Sequence, residues 1–350
     1  MIYMEQMNLF AGLDMHTESI TATIKDDQGN PVRVLQVETN KEGVKKLFDR
    51  LQKKHISAVF EASRNWPRYA ELIQPYCNKV IMAHPLKVRA IASARIKTDV
   101  IDSNTLSDLL RANLIPESYM PPLDIVELRE VLRYRAGLSR MRGQLKTKAK
   151  NILSREGKKC DFDEVTGKRA RLWLNHLELN VLNRKELDYT VALIDNLSLE
   201  IVKFDKEIEQ LQYKYPEVEI LKSVIGINTF SGMMILAEMA DVSRFPSPNK
   251  LACYAGLVPS TYQSSQTQYS GKITKQGNAY LRWILTQCTH ASIKSRYSHK
   301  LKSFYLRIER KKGKQKAIVA TARKMLTTIW HLLNKNEYYA YRDIPSKNGL

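Results

Sequence analysis

Leu9-Phe10-Ala11-Gly12-Leu13-Asp14, Ser19-Ile20-Thr21-Ala22-Thr23-Ile24 and Pro31-Val32-Arg33-Val34-Leu35-Gln36-Val37 are three short runs that read as successive β-strands. The first is apolar up to its terminal acid and the second alternates with period two. The cluster Asp26-Asp27-Gln28-Gly29-Asn30 between the second and third supplies a turn. A helix follows, with Asn40 as its cap and Val44, Leu47, Phe48 and Leu51 on one face. Ile56 to Phe60 reads as a buried strand ending at Glu61, Pro67 to Tyr76 as a helix, and Lys79 to Ala83 as another strand. Asp99 to Leu114 reads as a helix with Ile101, Leu106, Leu109 and Leu110 turned inward. Three meandering strands followed by alternating helix and strand predict an α/β sheet covered by helices.

The acids fall at telling places in that pattern. Asp14 and Glu61 each follow a buried strand, and Asp99 and Asp102 open a helix. Strand ends and helix starts are where open α/β sheets gather their sites. Asp99 and Asp102 are three residues apart and so share a helix face. Two carboxylates there repel unless a cation lies between them. Mg²⁺ or Mn²⁺, which take oxygen ligands and share them with phosphate, suit the position, and a pair of such ions can serve phosphodiester cleavage. Each acid alone also reads as something plainer: a strand-end turn, a surface acid, an N-cap, a first-turn acid favoured by the helix dipole.

After Pro121-Pro122 a long basic helix is expected, with Leu138, Met141, Leu145, Ala149 and Ile152 in a helical stripe. Arg129 to Lys159 holds eleven Lys and Arg against two acids. Past a break near Gly157 and Gly167, a second helix runs from about Arg184 to Tyr215. Its Leu187, Val191, Ile194, Leu197, Ile201, Phe204, Ile208 and Leu211 form a coiled-coil seam. Two antiparallel helices of one chain or a coiled coil between chains both satisfy it. Leu221 to Asn228 leads into an apolar helix through Met239, and Ile225-Gly226-Ile227 resembles a helix-hairpin-helix turn, although a glycine in a helix turn is more often just a cap. Lys272 to Lys324 carries fifteen Lys and Arg and one acid, interleaved with Tyr280, Trp283, Tyr297, Phe304 and Tyr305, which predicts a folded basic surface.

Whole-chain properties agree. At 350 residues the chain exceeds the roughly 250–300 of a single core, so at least two domains are expected. The formal net charge is +20, from 56 Lys and Arg against 36 Asp and Glu. A field of that size calls for a polyanionic partner, nucleic acid first and anionic membrane surface second. No stretch reaches about 18 unbroken apolar residues, and the first ten residues lack signal-peptide character. A bacterial cytoplasmic, nucleoid-associated protein without a membrane partner is the expectation. Cys77, Cys160, Cys253 and Cys288 show no metal-ligand spacing.

Two blocks then carry a resemblance. Gly12-Leu13-Asp14, Phe60-Glu61-Ala62 and Lys97-Thr98-Asp99-Val100-Ile101-Asp102 form the first. Arg244-Phe245, Leu251 through Pro259, Tyr262-Gln263-Ser264, Gly271-Lys272-Ile273-Thr274-Lys275 and Gly277 through Arg282 form the second. Together they resemble the DEDD transposases of the insertion-sequence-110 type, including the 1111 subgroup, over about residues 8 to 335. The resemblance implies an α/β RuvC-like (RNase H-type) domain over 1–120, a helical coiled-coil arm over 121–216 and a mainly α C-terminal transposase domain over 217–340. It further implies site-specific DNA recombination guided by a structured bridge RNA, with Mg²⁺ (or Mn²⁺) held by Asp14, Glu61, Asp99 and Asp102, and a serine that forms a phosphoserine intermediate. By its place in the second block that serine is Ser264, with Ser265 the second candidate where relatives often read Ser-Gly.

From the residues alone, Ser264 is also a polar loop residue in Gln263-Ser264-Ser265-Gln266-Thr267, and no Ser/His/Asp set surrounds it. A serine needs a base or metal to become nucleophilic, so acids from another domain or protomer are the expected activators, which favours a dimer or tetramer. Lys272, Lys275 and Arg282 are candidate phosphate contacts, as are Arg140, Arg142, Lys146 and Lys150 on the first long helix and Lys311, Lys312, Lys314 and Arg323 near the end. Donor and target DNA are the expected substrates. The same acids also suit a Holliday-junction resolvase-like endonuclease using water as nucleophile, and the charge alone suits a non-catalytic nucleic-acid binder.

Overall fold

The computed structural model describes residues 7–92, 98–162, 164–264, 267–273 and 275–339. The chain divides into two compact units, Met1–Leu123 and Asp124–Leu350.

In the first unit β1 (Leu9–Met15), β2 (Ser19–Lys25) and β3 (Pro31–Glu38) form an antiparallel meander. The β2–β3 turn is built as its composition suggests: Asp26 Oδ1 accepts hydrogen bonds from the Gln28 and Asn30 backbone N–H groups at 2.9 and 2.8 Å. Helix α1 (Lys41–Leu47) starts where Asn40 accepts from the Gly43 N–H at 2.7 Å. The chain then enters β4 (Ile56–Glu61), which lies parallel to β1, and passes through α2 (Trp66–Ile73) to β5 (Lys79–Ala83), parallel to β4. After α3 (Pro85–Ile91) and α4 (Asp99–Arg111), the short β6 (Glu117–Ser118) pairs antiparallel with β5. The sheet order is β3-β2-β1-β4-β5-β6.

Alternation along the strands sends side chains to two cores. Ala58 and Phe60 join Leu9, Ala11, Leu13, Ile20, Val44 and Leu47 on one face. Val59 and Ile81 join Leu106, Leu109 and Leu110 of α4 on the other. A mixed sheet of a three-strand meander continued by parallel strands fits a RuvC-like domain.

Helix α4 lies unusually close to the sheet. A Cβ at Gly12 would stand 2.0 Å from the Ser103 carbonyl oxygen and 2.4 Å from the Ser107 nitrogen, so only glycine admits this approach. Ser107 Oγ donates to the Phe10 carbonyl, and the Thr23 and Ser103 hydroxyls are 2.9 Å apart. These contacts fix the helix whose first turn bears Asp99 and Asp102.

The second unit is mostly helical. Helix α5 (Leu123–Arg155) and helix α7 (Val181–Leu211), with α6 (Lys168–Asn175) between them, pair within the chain. The pairs Arg135–Asp205, Arg142–Ser198 and Arg155–Glu186 show that they run antiparallel, one number rising as the other falls. Leu187, Ile194, Ile201 and Ile208 of the expected seam are buried. Helices α8 (Glu217–Lys222), α9 (Thr229–Met239), α10 (Pro248–Tyr254), α11 (Ala279–Lys294), α12 (His299–Lys312) and α13 (Lys314–Lys335) build the remaining core, and β7 (Pro259–Ser264) and β8 (Thr267–Ile273) form a hairpin. Gly226 has φ +97°, and the space a side chain would need is filled by α11, with the Cys288 carbonyl oxygen 2.4 Å from the would-be Cβ. Its backbone freedom serves helix packing inside the unit. No helix among the described residues is long and apolar enough to cross a membrane.

Candidate metal centre and nucleic-acid interface

Asp14 and Glu61 sit at the same end of neighbouring strands. Leu13 stands opposite Phe60 in the parallel β1–β4 register, and the two acids are the next residues along. Thr98 caps α4, its hydroxyl accepting from the Ile101 N–H at 3.2 Å. Asp99 is therefore the first residue of the helix rather than its cap, and its carboxylate is left half-exposed.

Three donor atoms converge here. One oxygen each from Asp14 and Asp99 and a ring nitrogen of His16 lie within 4.8 Å of one another. His16 Nε2 is 3.3 Å from Asp14 Oδ2 and 3.9 Å from Asp99 Oδ1. Burial raises the Asp14 pKa above the usual carboxylate value. His16 pulls it back, while the charges of Asp99 and Asp102 push it further up. Asp102 is thus close enough to act on Asp14, although its oxygens are not in the three-donor group. Glu61 is placed by strand register and is exposed. Crowded carboxylate oxygens with an imidazole donor a few ångströms away suit a divalent cation.

Beside Asp99 an open cavity of ≈ 510 Å³ is lined by Thr21, Val34, Leu35, Gln36, Thr98, Asp99 and Val100. It lies between the edge strand β3 and the start of α4. His16 was not among the residues singled out from the sequence. Strand alternation placed it on the same side as Asp14, two residues earlier, and was the available signal.

In the second unit Ser264 closes β7 and is paired with Thr267 across the hairpin. Ser265 lies outside the described residues, and Lys272 is on β8. The basic candidates divide by their partners. Arg282 Nη1 donates to the Ala255 carbonyl at 3.0 Å and abuts Gly256, a packing role inside the unit. Lys146 pairs with Glu164, Arg142 donates to Ser198 at 3.3 Å, and Arg323 donates to Asn249 at 3.1 Å. Arg140, Lys150, Lys275, Lys311, Lys312 and Lys314 are exposed. The last three flank Gly313, where φ is +79° and the chain turns from α12 into α13.

Comparison with known proteins matches both units. Residues 11–156 fit the DEDD transposase model of the IS110 type, and residues 218–306 fit the transposase IS116/IS110/IS902 family. The transposase-named y4qE protein of Sinorhizobium fredii is 23% identical over 80% of this chain and 70% of its own length. The transposase for insertion sequence element IS1111A of Coxiella burnetii is 27% identical over 49% of this chain and 44% of its own. The pilin gene-inverting protein of Moraxella bovis is 31% identical over 44% and 49%. The aligned stretch thus spans less than half of either of the last two relatives. The family matches over both units make the chain an enzyme that acts on DNA as a transposase, and a DEDD domain of this kind implies dependence on a divalent metal. The chain belongs to the IS110 family of DEDD transposases.

Proposed function

We propose that the chain is a site-specific DNA recombinase that exchanges strands through a covalent serine–phosphate linkage, with a structured guide RNA selecting the donor and target DNA. The observation that carries the reading is the convergence of Asp14 and Asp99, under the influence of Asp102, at the strand ends of a RuvC-like sheet in a chain whose other unit matches the family model around Ser264. Asp14, Glu61, Asp99 and Asp102 hold Mg²⁺ or Mn²⁺. When bound, such an ion neutralises phosphate charge and favours an ionised oxygen nucleophile.

Ser264 Oγ forms a bond to phosphorus as one deoxyribose oxygen leaves as a hydroxyl. The serine proton passes to a base, and a hydroxyl from the exchanged strand later displaces the serine, restoring it. The relevant carboxylates belong to the other unit, of the same chain or of a second copy, and a dimer or tetramer is the working species of this reading. Arg140, Lys150, Lys275, Lys311, Lys312 and Lys314 are exposed cations that contact DNA and RNA phosphates in this reading. The cavity beside Asp99 offers room for sugar and base next to the reacting phosphate.

The test uses end-labelled donor DNA, the RNA that copurifies and the full-length protein. Wild type should yield a protein–DNA adduct on a denaturing gel, which maps to Ser264 by mass spectrometry. Ser264→Ala should lose adduct and strand exchange while retaining DNA binding. Cleavage without an adduct in both proteins points instead to water as nucleophile, as in a junction resolvase.

A further inference from the structure

We propose that His16 is a ligand of the divalent ion held by Asp14 and Asp99, binding it through Nε2, and that this nitrogen makes the site favour Mn²⁺ over Mg²⁺. The inference rests on the reading of Asp14 and Asp99 as metal-holding acids and goes beyond the four carboxylates.

Geometry comes first. His16 Nε2 lies 3.3 Å from Asp14 Oδ2, a long hydrogen bond that a cation between the two atoms would replace. Around an octahedral ion with bonds of about 2.0–2.1 Å, neighbouring donors stand roughly 3 Å apart and opposite ones roughly 4 Å. The separations of 3.3 and 3.9 Å from His16 to the two aspartates fall within that span. An ion between His16 and either aspartate therefore needs little movement, and the third donor of the group is no more than 4.8 Å from the other two.

The imidazole is also carried on fixed backbone. The His16 N–H donates to the Ser19 carbonyl at 2.8 Å, closing the β1–β2 turn. The His16 carbonyl accepts from the hydroxyl of buried Thr39 at 2.8 Å. The backbone that carries the imidazole is thus held at both its N–H and its C=O, although half of the side chain reaches solvent. Both ions take mainly oxygen ligands, but Mn²⁺, a transition-metal ion, accepts an imidazole nitrogen beside them more readily than Mg²⁺ does. One nitrogen among the donors shifts the balance toward Mn²⁺.

The experiment is Mn²⁺ titration of the full-length protein followed by electron paramagnetic resonance, including pulsed measurement of nitrogen hyperfine coupling. No step depends on turnover. Wild type should show nitrogen coupling to bound Mn²⁺. His16→Ala should lose the coupling and weaken Mn²⁺ binding by about 10–100-fold, the range for loss of groups supporting a metal site. Mg²⁺ binding, read by competition, should be unchanged. His16→Gln keeps a hydrogen-bond donor for Asp14; if it restores Mn²⁺ affinity to the wild-type value, His16 only orients the carboxylate and the proposal falls. Bound Mn²⁺ that is lost in Asp14→Asn but never shows nitrogen coupling overturns His16 as a ligand and leaves the carboxylate site standing. Absence of Mn²⁺ binding, or binding indifferent to Asp14→Asn, overturns both.

Discussion

Gly12 is the residue on which the position of the first helix turn of α4 depends. Its missing side chain lets the Ser103 carbonyl come to where a Cβ would be, and that backbone cannot yield as a flexible side chain does. Gly12→Ala must push α4 off β1 or bend β1, and overpacking of this kind costs about 1–3 kcal/mol. The same shift moves Asp99 and Asp102 relative to Asp14. The expected result is a lower urea midpoint together with weaker Mn²⁺ binding, whereas a purely structural lesion would spare the affinity of the protein that remains folded. Thiols give a second check at this scale. Burial pushes the Cys77 thiol up to about 12 and the Cys288 thiol up to about 11, and both side chains are buried. Cys253 is exposed. Iodoacetamide at pH 8 should label Cys253 first and leave Cys77 and Cys288 unmodified until urea is added, as read by peptide mass spectrometry. Labelling of Cys77 at the rate of Cys253 in the native protein contradicts the packing described.

At the scale of elements, the second unit is tied together by one buried acid. Glu238 of α9 is wholly buried and receives two bonds from Arg133 of α5, at 2.7 and 2.8 Å. Asn278, the cap of α11, donates to it at 2.7 Å, and Arg129 stands 3.8 Å away. Removing one partner of a buried pair strands the other charge, at about 3–5 kcal/mol. Arg133→Ala should lose stability of that order in urea unfolding, and the double variant Arg133→Met/Glu238→Leu should recover part of it. A loss under 1 kcal/mol would indicate that water reaches Glu238. Little of this tie was legible in the sequence, where Glu238 was one acid in an apolar helix, its arginine partners lie over a hundred residues away and Asn278 lies 40 away. The sheet was legible because its strands alternate against a two-sided core, and the Asn40 cap and the strand-end acids followed from the same periodicity. The hairpin with Ser264 was read as loop, since its polar residues carry no apolar alternation. The seam of α7 showed its buried stripe but not its partner. One-dimensional spacing is the same whether the facing helix belongs to the same chain or another, and side-chain pairs with α5 supply the answer within this chain.

Over the whole molecule the charge is unevenly shared. Residues 1–123 hold 16 Lys and Arg against 14 acids, while 124–350 hold 40 against 22, so +18 of the net +20 lies in the second unit. The division of labour follows from electrostatics. A near-neutral unit can gather carboxylates without a strongly positive field competing with their ion, and in the proposed reading the polyanion is gripped by the other unit. Phosphate contacts release counterions, so the slope of log affinity against log salt falls by about 0.9 for each contact removed from duplex DNA. Lys311, Lys312 and Lys314 project from the α12–α13 corner without an acidic partner among the ion pairs of the described residues. Replacing all three by Ala should weaken binding to unrelated duplexes alike and make the slope shallower by roughly 2–3, measured by fluorescence anisotropy between 50 and 300 mM KCl (an order-of-magnitude working range). Replacing Asp14, Glu61, Asp99 and Asp102 by Asn or Gln should leave that slope as it is, since the near-neutral unit contributes little to it. A slope insensitive to the triple variant would move the DNA grip elsewhere on the second unit, with Arg140 and Lys150 of α5 next in line.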